Sequence, residues 1–374
     1  IANLIPPAKW NVAADLYGLP VSLKTAWDGG YMFRQGALLG FRHPSEWLSA
    51  WGPMIKSFSD PVYARQIQDQ LATRPLANLA HEAGLQFDEI WQSNEFFSSR
   101  LAEKLKGLKG SPRSFVAPGN WIRTGAFDNV IRGWLPSGHD LNAAPINSIA
   151  DMTALTGKTE QDVKDLALLY NALSGKSNIP WLRGQSGPLR LPFFAPGWAL
   201  SIPEAVGRTM LSPGARTEGA KVLAGYFGFV AGAELMGDIA GIWDAELDPR
   251  STNFGKVRWK GTQEYTDPTL GMAAWLRLMA QLAPTPGPQG WSQYYKTTGG
   301  NLVQRPGFET LLGRFMRGKL HPIPGELWSW AEGQNIVGEQ RRFTGVNAET
   351  ALSVLNTAKS LFAPLTPVDV IEGY

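Results

Sequence analysis

Few residues in this chain are spaced to do covalent or metal chemistry. Ser174-Gly175-Lys176-Ser177 looks like the tail of a phosphate-binding loop, where an ammonium and backbone N–H groups meet a phosphate. That loop needs a glycine five residues before Gly175, where Tyr170 stands, and a buried strand ahead of it. Gly184-Gln185-Ser186-Gly187 sets a serine between glycines, one residue short of nucleophile-elbow spacing and inside a proline-rich joint. Asp244, Glu246 and Asp248 gather carboxylates before Pro249, a pattern read as solvent-facing more than metal-binding. The glycines between 18 and 40 lack dinucleotide spacing.

The absence of Cys excludes a disulfide scaffold, thiolate-ligated zinc or iron–sulfur, and a thiol nucleophile. The four His (His43, His81, His139, His321) are scattered and never four apart. The expectation is a chain without a catalytic set, cofactor or resident metal, and so not an enzyme. Lys plus Arg number 35 against 32 Asp plus Glu, a net charge of +3, which announces no nucleic-acid binder beyond a local patch.

Two segments have a physical character of their own. Residues 221–243 are the most apolar run, near the ~20 residues that cross a bilayer. Gly225, Gly228, Gly232, Gly237 and Gly241 would let a neighbouring helix approach closely. Glu234 and Asp238 oppose a simple span, since each acid at mid-bilayer costs roughly 2.5–3.5 kcal/mol. Being four apart they share one helix face that a bundle could shelter, and a buried helix of a soluble domain is preferred to a membrane helix. Residues 310–321 carry Arg314, Arg317, Lys319 and His321, with Arg305 upstream, opposite Leu311, Leu312, Phe315, Met316 and Leu320. Such a face could contact DNA phosphates. The preferred reading is a solvated face whose cations suit the C-terminal end of a helix.

The elements that must position these residues read as mostly helical. A chain of 374 residues with 44% hydrophobic and 18% charged residues has material for two or three packing units. Periodicity predicts a helix over 61–83 divided at Pro75, an amphipathic helix over 88–108, and one over 159–173 capped by Thr159 ahead of an acidic first turn. Forty-one Gly and 27 Pro punctuate these pieces. Joints are expected at 107–118, 135–145, 179–203 and 283–290, with 179–203 and its five prolines the strongest boundary. Around Lys260-Gly261, 256–259 and 262–265 read as a two-residue-turn hairpin with Val257 and Trp259 on one face. The fold class expected is mainly α: many short Pro/Gly-punctuated helices in an irregular bundle, elongated at the extreme, with one small β-hairpin near 256–265. The division expected is 1–180, a joint at 181–203, a helical region with the hairpin over 204–345, and a helix and tail over 346–374. The 15 Trp are dispersed, which points first to core anchors and second to a protein interface.

The chain opens on Ile1 with no basic n-region, so a processed product or a segment of something longer is expected, and residues 366–374 show no anchor motif. Three stretches carry a resemblance. Leu19-Pro20-Val21-Ser22-Leu23-Lys24-Thr25-Ala26-Trp27-Asp28 with Arg34-Gln35-Gly36, then Asp248-Pro249-Arg250-Ser251-Thr252-Asn253-Phe254-Gly255-Lys256-Val257, then Arg314-Phe315-Met316-Arg317-Gly318-Lys319-Leu320 occur in that order. Together they resemble a helical region of the large polyvalent, multidomain proteins of tailed bacteriophages and prophages. The resemblance implies an internal or portal- or tail-associated virion protein, ejected with the genome and acting through protein–protein contacts. It implies other virion proteins as partners, in a homo-oligomer or multi-copy assembly, with packaged DNA and the host membrane as further partners. The alternatives are a membrane-active protein using Gly225, Gly228, Gly232, Glu234 and Asp238 in an ejection conduit, or a DNA-associated packaging protein using Arg305, Arg314, Arg317 and Lys319. The high Trp content departs from the pattern, and the resemblance supplies no catalytic residue.

Overall fold

The computed structural model describes residues 31–88, 110–178, 196–251, 253–262, 265–269, 272–282, 294–296, 301–304, 308–320, 322–334, 340–345 and 347–362. The fold is mainly α with small antiparallel sheets. Described residues up to Tyr226 form one compact unit and those from Phe227 onward a second. The two units part inside a helix; most of the expected joint at 181–203 lies outside the described residues, as does the expected helix over 88–108 apart from Asp88.

The first unit begins with a π-helical turn (Tyr31–Gln35) and continues through α1 (Ala37–Gly40), α2 (Pro44–Ser49), α3 (Trp51–Ser59), α4 (Pro61–Ala72), α5 (Ala77–Glu82), α6 (Ser111–Trp134), α7 (Ile149–Thr156), α8 (Glu160–Leu173) and α9 (Pro196–Leu211). Helix α10 (Pro213–Ile239) spans the division between the units.

Local chemistry explains the starts. Asp60 accepts from Val62 N (2.8 Å) and Tyr63 N (3.1 Å), with Pro61 at the first helical position. Ser148 with Asp151 and Thr159 with Asp162 form reciprocal capping boxes at α7 and α8, and α7 ends on left-handed Gly157. The 61–83 pattern breaks into α4 and α5, with Pro75 in the break.

The joint expected at 107–118 is corrected: from Ser111 onward those residues are the first turns of α6, which runs through Pro118. Pro112, in the first turn, removes only a donor that has no intrahelical partner, whereas Pro118 inside the helix gives up one hydrogen bond. Arg113 on that first turn donates from Nε to the Ser57 carbonyl and from Nη2 to the Phe58 carbonyl (both 3.0 Å), satisfying carbonyls at the end of α3. Likewise 196–203 of the proline-rich joint is helical, with Pro203 inside α9.

Helix α3 packs along α6, and α8 along α9. The core these helices share includes Leu39, Leu79, Ile122, Phe127, Ile131, Met152, Leu166 and Tyr170, all essentially without solvent contact.

The second unit holds β1 (Trp243–Ala245), β2 (Val257–Trp259), β3 (Tyr265–Thr266), α11 (Ala273–Leu282), β4 (Tyr294–Lys296), β5 (Leu302–Gln304), α12 (Phe308–Arg317), α13 (Pro322–Glu332) and α14 (Ala348–Phe362). Strands β1-β2-β3 form one antiparallel sheet in which Trp243 pairs with Trp259, Ala245 with Val257, and Val257 with Thr266. The expected hairpin exists, but its pairing stops at Arg258–Tyr265, so the connection is longer than two residues. Gly261 still supplies a positive φ of 83° there. Strand β1 and the β4–β5 hairpin carry no alternation strong enough to have been expected.

The described tryptophans, expected first as core anchors, are mostly half-buried. Among the described residues none is fully buried. Four of them place the indole N–H on an acceptor: Trp47 to Met32 O (3.0 Å), Trp121 to Ser49 Oγ (2.9 Å), Trp243 to Glu234 O (3.1 Å) and Trp330 to Thr357 Oγ1 (2.9 Å), whereas Trp275 Nε1 is buried without one. A large ring with one obligatory donor fits a half-buried position better than a dry one. Phe33, Trp47 and Trp51 meet edge to face, as do Trp243 and Trp259.

Candidate functional site: an apolar helix open on one side

Helix α10 carries apolar residues around most of its circumference, and among the described residues one stripe of it is buried while the opposite stripe is exposed. Ala215, Glu218, Val222, Tyr226, Val230 and Glu234 are buried and recur every three or four residues, which traces one stripe of a helix. Opposite lie Ala220, Ala224, Phe227, Gly228, Ala231, Leu235 and Ile239, all exposed, with Leu235 at 59% and Ile239 at 77%. Its most apolar window of 18 residues is 28% buried. This corrects the preferred expectation of a buried helix. A helix that is hydrophobic all round belongs inside a larger apolar body. Leu247 (63%), Met210 (67%) and Leu211 (81%) are further exposed apolar side chains.

The glycines of the run divide by environment. At Gly225 a Cβ would lie 3.2 Å from the Phe41 carbonyl oxygen, so this glycine permits close packing within the first unit. Gly237 lies directly under the Trp243 ring, with no room for a side chain. Among the described residues nothing lies within 4 Å of a Cβ placed at Gly228 or Gly232.

The two acids do not share one environment. Glu234 is buried at 5% exposure, its Oε1 has no hydrogen-bond partner, and burial, with Asp267 adding to it, raises its pKa. Asp238, one turn later, is exposed.

The basic segment is engaged with its surroundings. Arg317 pairs with Glu332, donates to Gln334 O (3.2 Å) and stacks over the Trp328 ring, while Lys319 lies over Phe315. Arg305, His321 and the Arg314 side chain lie outside the described residues.

The near-motifs also resolve into internal structure. Lys176 is buried and pairs with Asp88 at 2.8 Å, beside buried Arg123, which bonds Ser174 Oγ at 2.6 Å. Asn178 extends this network by donating to Glu204 Oε1 (2.8 Å), which also takes Arg208. An ammonium held this way is a structural charge and not a phosphate ligand. Asp244 pairs with Arg258 (3.0 Å), and Asp248 with Arg250 (2.8 Å). No group of three acidic or histidine side chains able to hold a metal occurs among the described residues.

A cavity of about 480 Å³ in the first unit, lined by Arg42, His43, Glu46, Asn129, Glu218 and Lys221 among others, was not foreseen. Its charges are largely spent on one another: Glu218 accepts from Arg42 (3.0 Å) and Lys221 (2.7 Å). Buried His43 meets the Tyr170 hydroxyl at 2.9 Å, and burial with nearby Arg42 lowers its pKa to about 4. No nucleophile is paired with that imidazole, so the arrangement reads as a packed polar contact. Comparison with family models, curated proteins and solved structures finds no match to this chain.

Proposed function

We propose that this chain is a structural component of a bacteriophage particle, internal or portal- or tail-associated and ejected with the genome, working through protein–protein contacts and not through a reaction. The observation that carries the reading is α10, of which, among the described residues, one stripe is buried and the opposite apolar stripe is exposed. Contiguous exposed apolar surface of this kind marks a contact face. The ordered resemblance of 19–36, 248–257 and 314–320 to the polyvalent phage proteins supplies the context. Particles purified through two density gradients should contain peptides of this chain in constant ratio to the major capsid protein. Their absence from such particles rejects the reading.

A second reading rests on the same helix. Its length and composition suit a bilayer, and protonation of Glu234 on acidification would lower the cost of insertion. Co-flotation with anionic liposomes at acidic and neutral pH tests it, and failure at both removes it.

A further inference from the structure

The carboxylates of the cavity in the first unit are engaged, but its cations are not. Glu46 accepts from Ser45 Oγ (2.7 Å) on one oxygen and from Asn129 Nδ2 on the other. Glu218 likewise accepts from Arg42 Nε (3.0 Å) and Lys221 Nζ (2.7 Å), one on each oxygen. Arg42 gives only Nε, so neither Nη donates to a described residue, and Lys221 gives a single N–H. Lys158, its ammonium 5.0 Å from the centre of the Trp134 ring, adds a further cation beside a wall of the cavity. Arg42, Lys221 and Lys158 outnumber Glu46 and Glu218, and every one of these residues belongs to the first compact unit. What about 480 Å³ of space offers a ligand is a surplus of N–H donors on positive groups, with Val130 and Trp134 as an apolar wall.

We propose that this cavity binds a small organic phosphate monoester, its phosphoryl group held between the Arg42 Nη pair and Lys221 and its body against Trp134. A guanidinium fork matches two oxygens of a phosphoryl group, and a third oxygen remains for an ammonium. A carboxylate would be satisfied by the fork alone and leave the ammonium unanswered. The cavity falls in the size range of organic-ligand sites, ~300–1,000 Å³, so it holds a body beyond the phosphoryl group. Gly133 keeps its rim open: among the described residues nothing lies within 4 Å of a Cβ placed there. The site needs no second chain and stands apart from the particle reading.

Calorimetric titration of the full-length chain with ribose 5-phosphate at low ionic strength tests this. The expected result is saturable binding at one site per chain, weakened by added salt, with no binding of ribose itself. Arg42→Gln should weaken it about tenfold or more, and Arg42→Lys, which keeps the charge without the fork, should not restore it. Because Arg42 also supports buried Glu218, a second variant separates binding from folding. Gly133→Leu has a helical backbone and open space, so it should keep the circular dichroism and melting temperature of the unliganded chain while losing the ligand. Undiminished binding by folded Gly133→Leu overturns the proposal, as does the absence of binding by both ribose 5-phosphate and inorganic phosphate. Equal affinity for succinate overturns the phosphoryl assignment. Binding of a 5′-phosphorylated oligonucleotide but not of ribose 5-phosphate overturns the small ligand in favour of a strand end.

Discussion

The two compact units treat apolar side chains in opposite ways. In the first, residues such as Leu39, Ile122, Leu166 and Leu169 are wholly buried. In the second, the buried apolar residues among those described are Val230, Val257, Met272, Ala273, Leu278 and Leu311, while Leu235, Met236, Ile239, Leu247, Leu327, Phe343, Leu352 and Leu355 are exposed. The buried charges follow the same contrast in part. In the first unit Asp88 answers Lys176 and Arg123, and Glu204 answers Arg208. The second also has a satisfied pair, Arg341 with Glu326 at 3.1 Å, but leaves a Glu234 carboxylate oxygen buried without a partner. Among the described residues the first unit buries most of its large apolar side chains, and the second leaves many of them exposed.

The sharpest way to break this comparison is to truncate leucines on both sides of it. Leu166→Ala, in the closed core of α8, should cost about 3 kcal/mol or more of unfolding free energy in urea titrations. Leu235→Ala on the open face should cost less than about 0.5 kcal/mol in the isolated monomer. Equal losses would mean that the open face is internally packed.

Asp88→Asn should cost about 3 kcal/mol, because it strands the cations of Lys176 and Arg123 in a buried setting. Thermal unfolding measures this, and a neutral result would show that water solvates those cations.

The pH response of His43 sharpens the picture of the first unit. Its folded pKa of about 4 lies below the ordinary 6.5, so the unfolded chain binds the proton first. Stability should therefore fall as pH drops from about 6.5 and level off below about 4, with about 3 kcal/mol from this residue. His43→Gln, which retains a hydrogen-bonding partner for Tyr170, should flatten that part of the pH curve. Thr159→Ala should have the smallest effect in the first unit, about 1 kcal/mol, through loss of the α8 capping box. A loss near zero there would mean that packing alone holds the start of α8.

Much of the local structure was legible in short-range patterns. Thr159 followed by Asp162, and Pro75 within an otherwise periodic run, depend on groups within a few residues of each other. Prolines were read less well. Pro112 and Pro118 looked like a joint, but Pro112 sits in the first turn where its missing donor costs little, Pro118 is accommodated inside the helix, and Arg113 ties the first turn to the carbonyls of α3. The apolar run containing α10 was equally visible, while its environment was not. Nothing in the order of residues tells whether Glu234 and Asp238 have the same surroundings.

By itself the sequence determined the mainly helical class, the main caps and breaks, the absence of thiol chemistry and the largely apolar character of α10. Each of these depends on composition or on interactions between neighbours in the chain. Only the tertiary structure decided that Lys176 is spent on Asp88, that the described tryptophans are mostly half-buried, and that Gly225 is covered while, among the described residues, nothing lies within 4 Å of a Cβ placed at Gly228 or Gly232. These follow from which distant segments meet, as Lys176 and Asp88 do across 88 positions of chain, and long-range burial decides what a side chain can still offer to a partner.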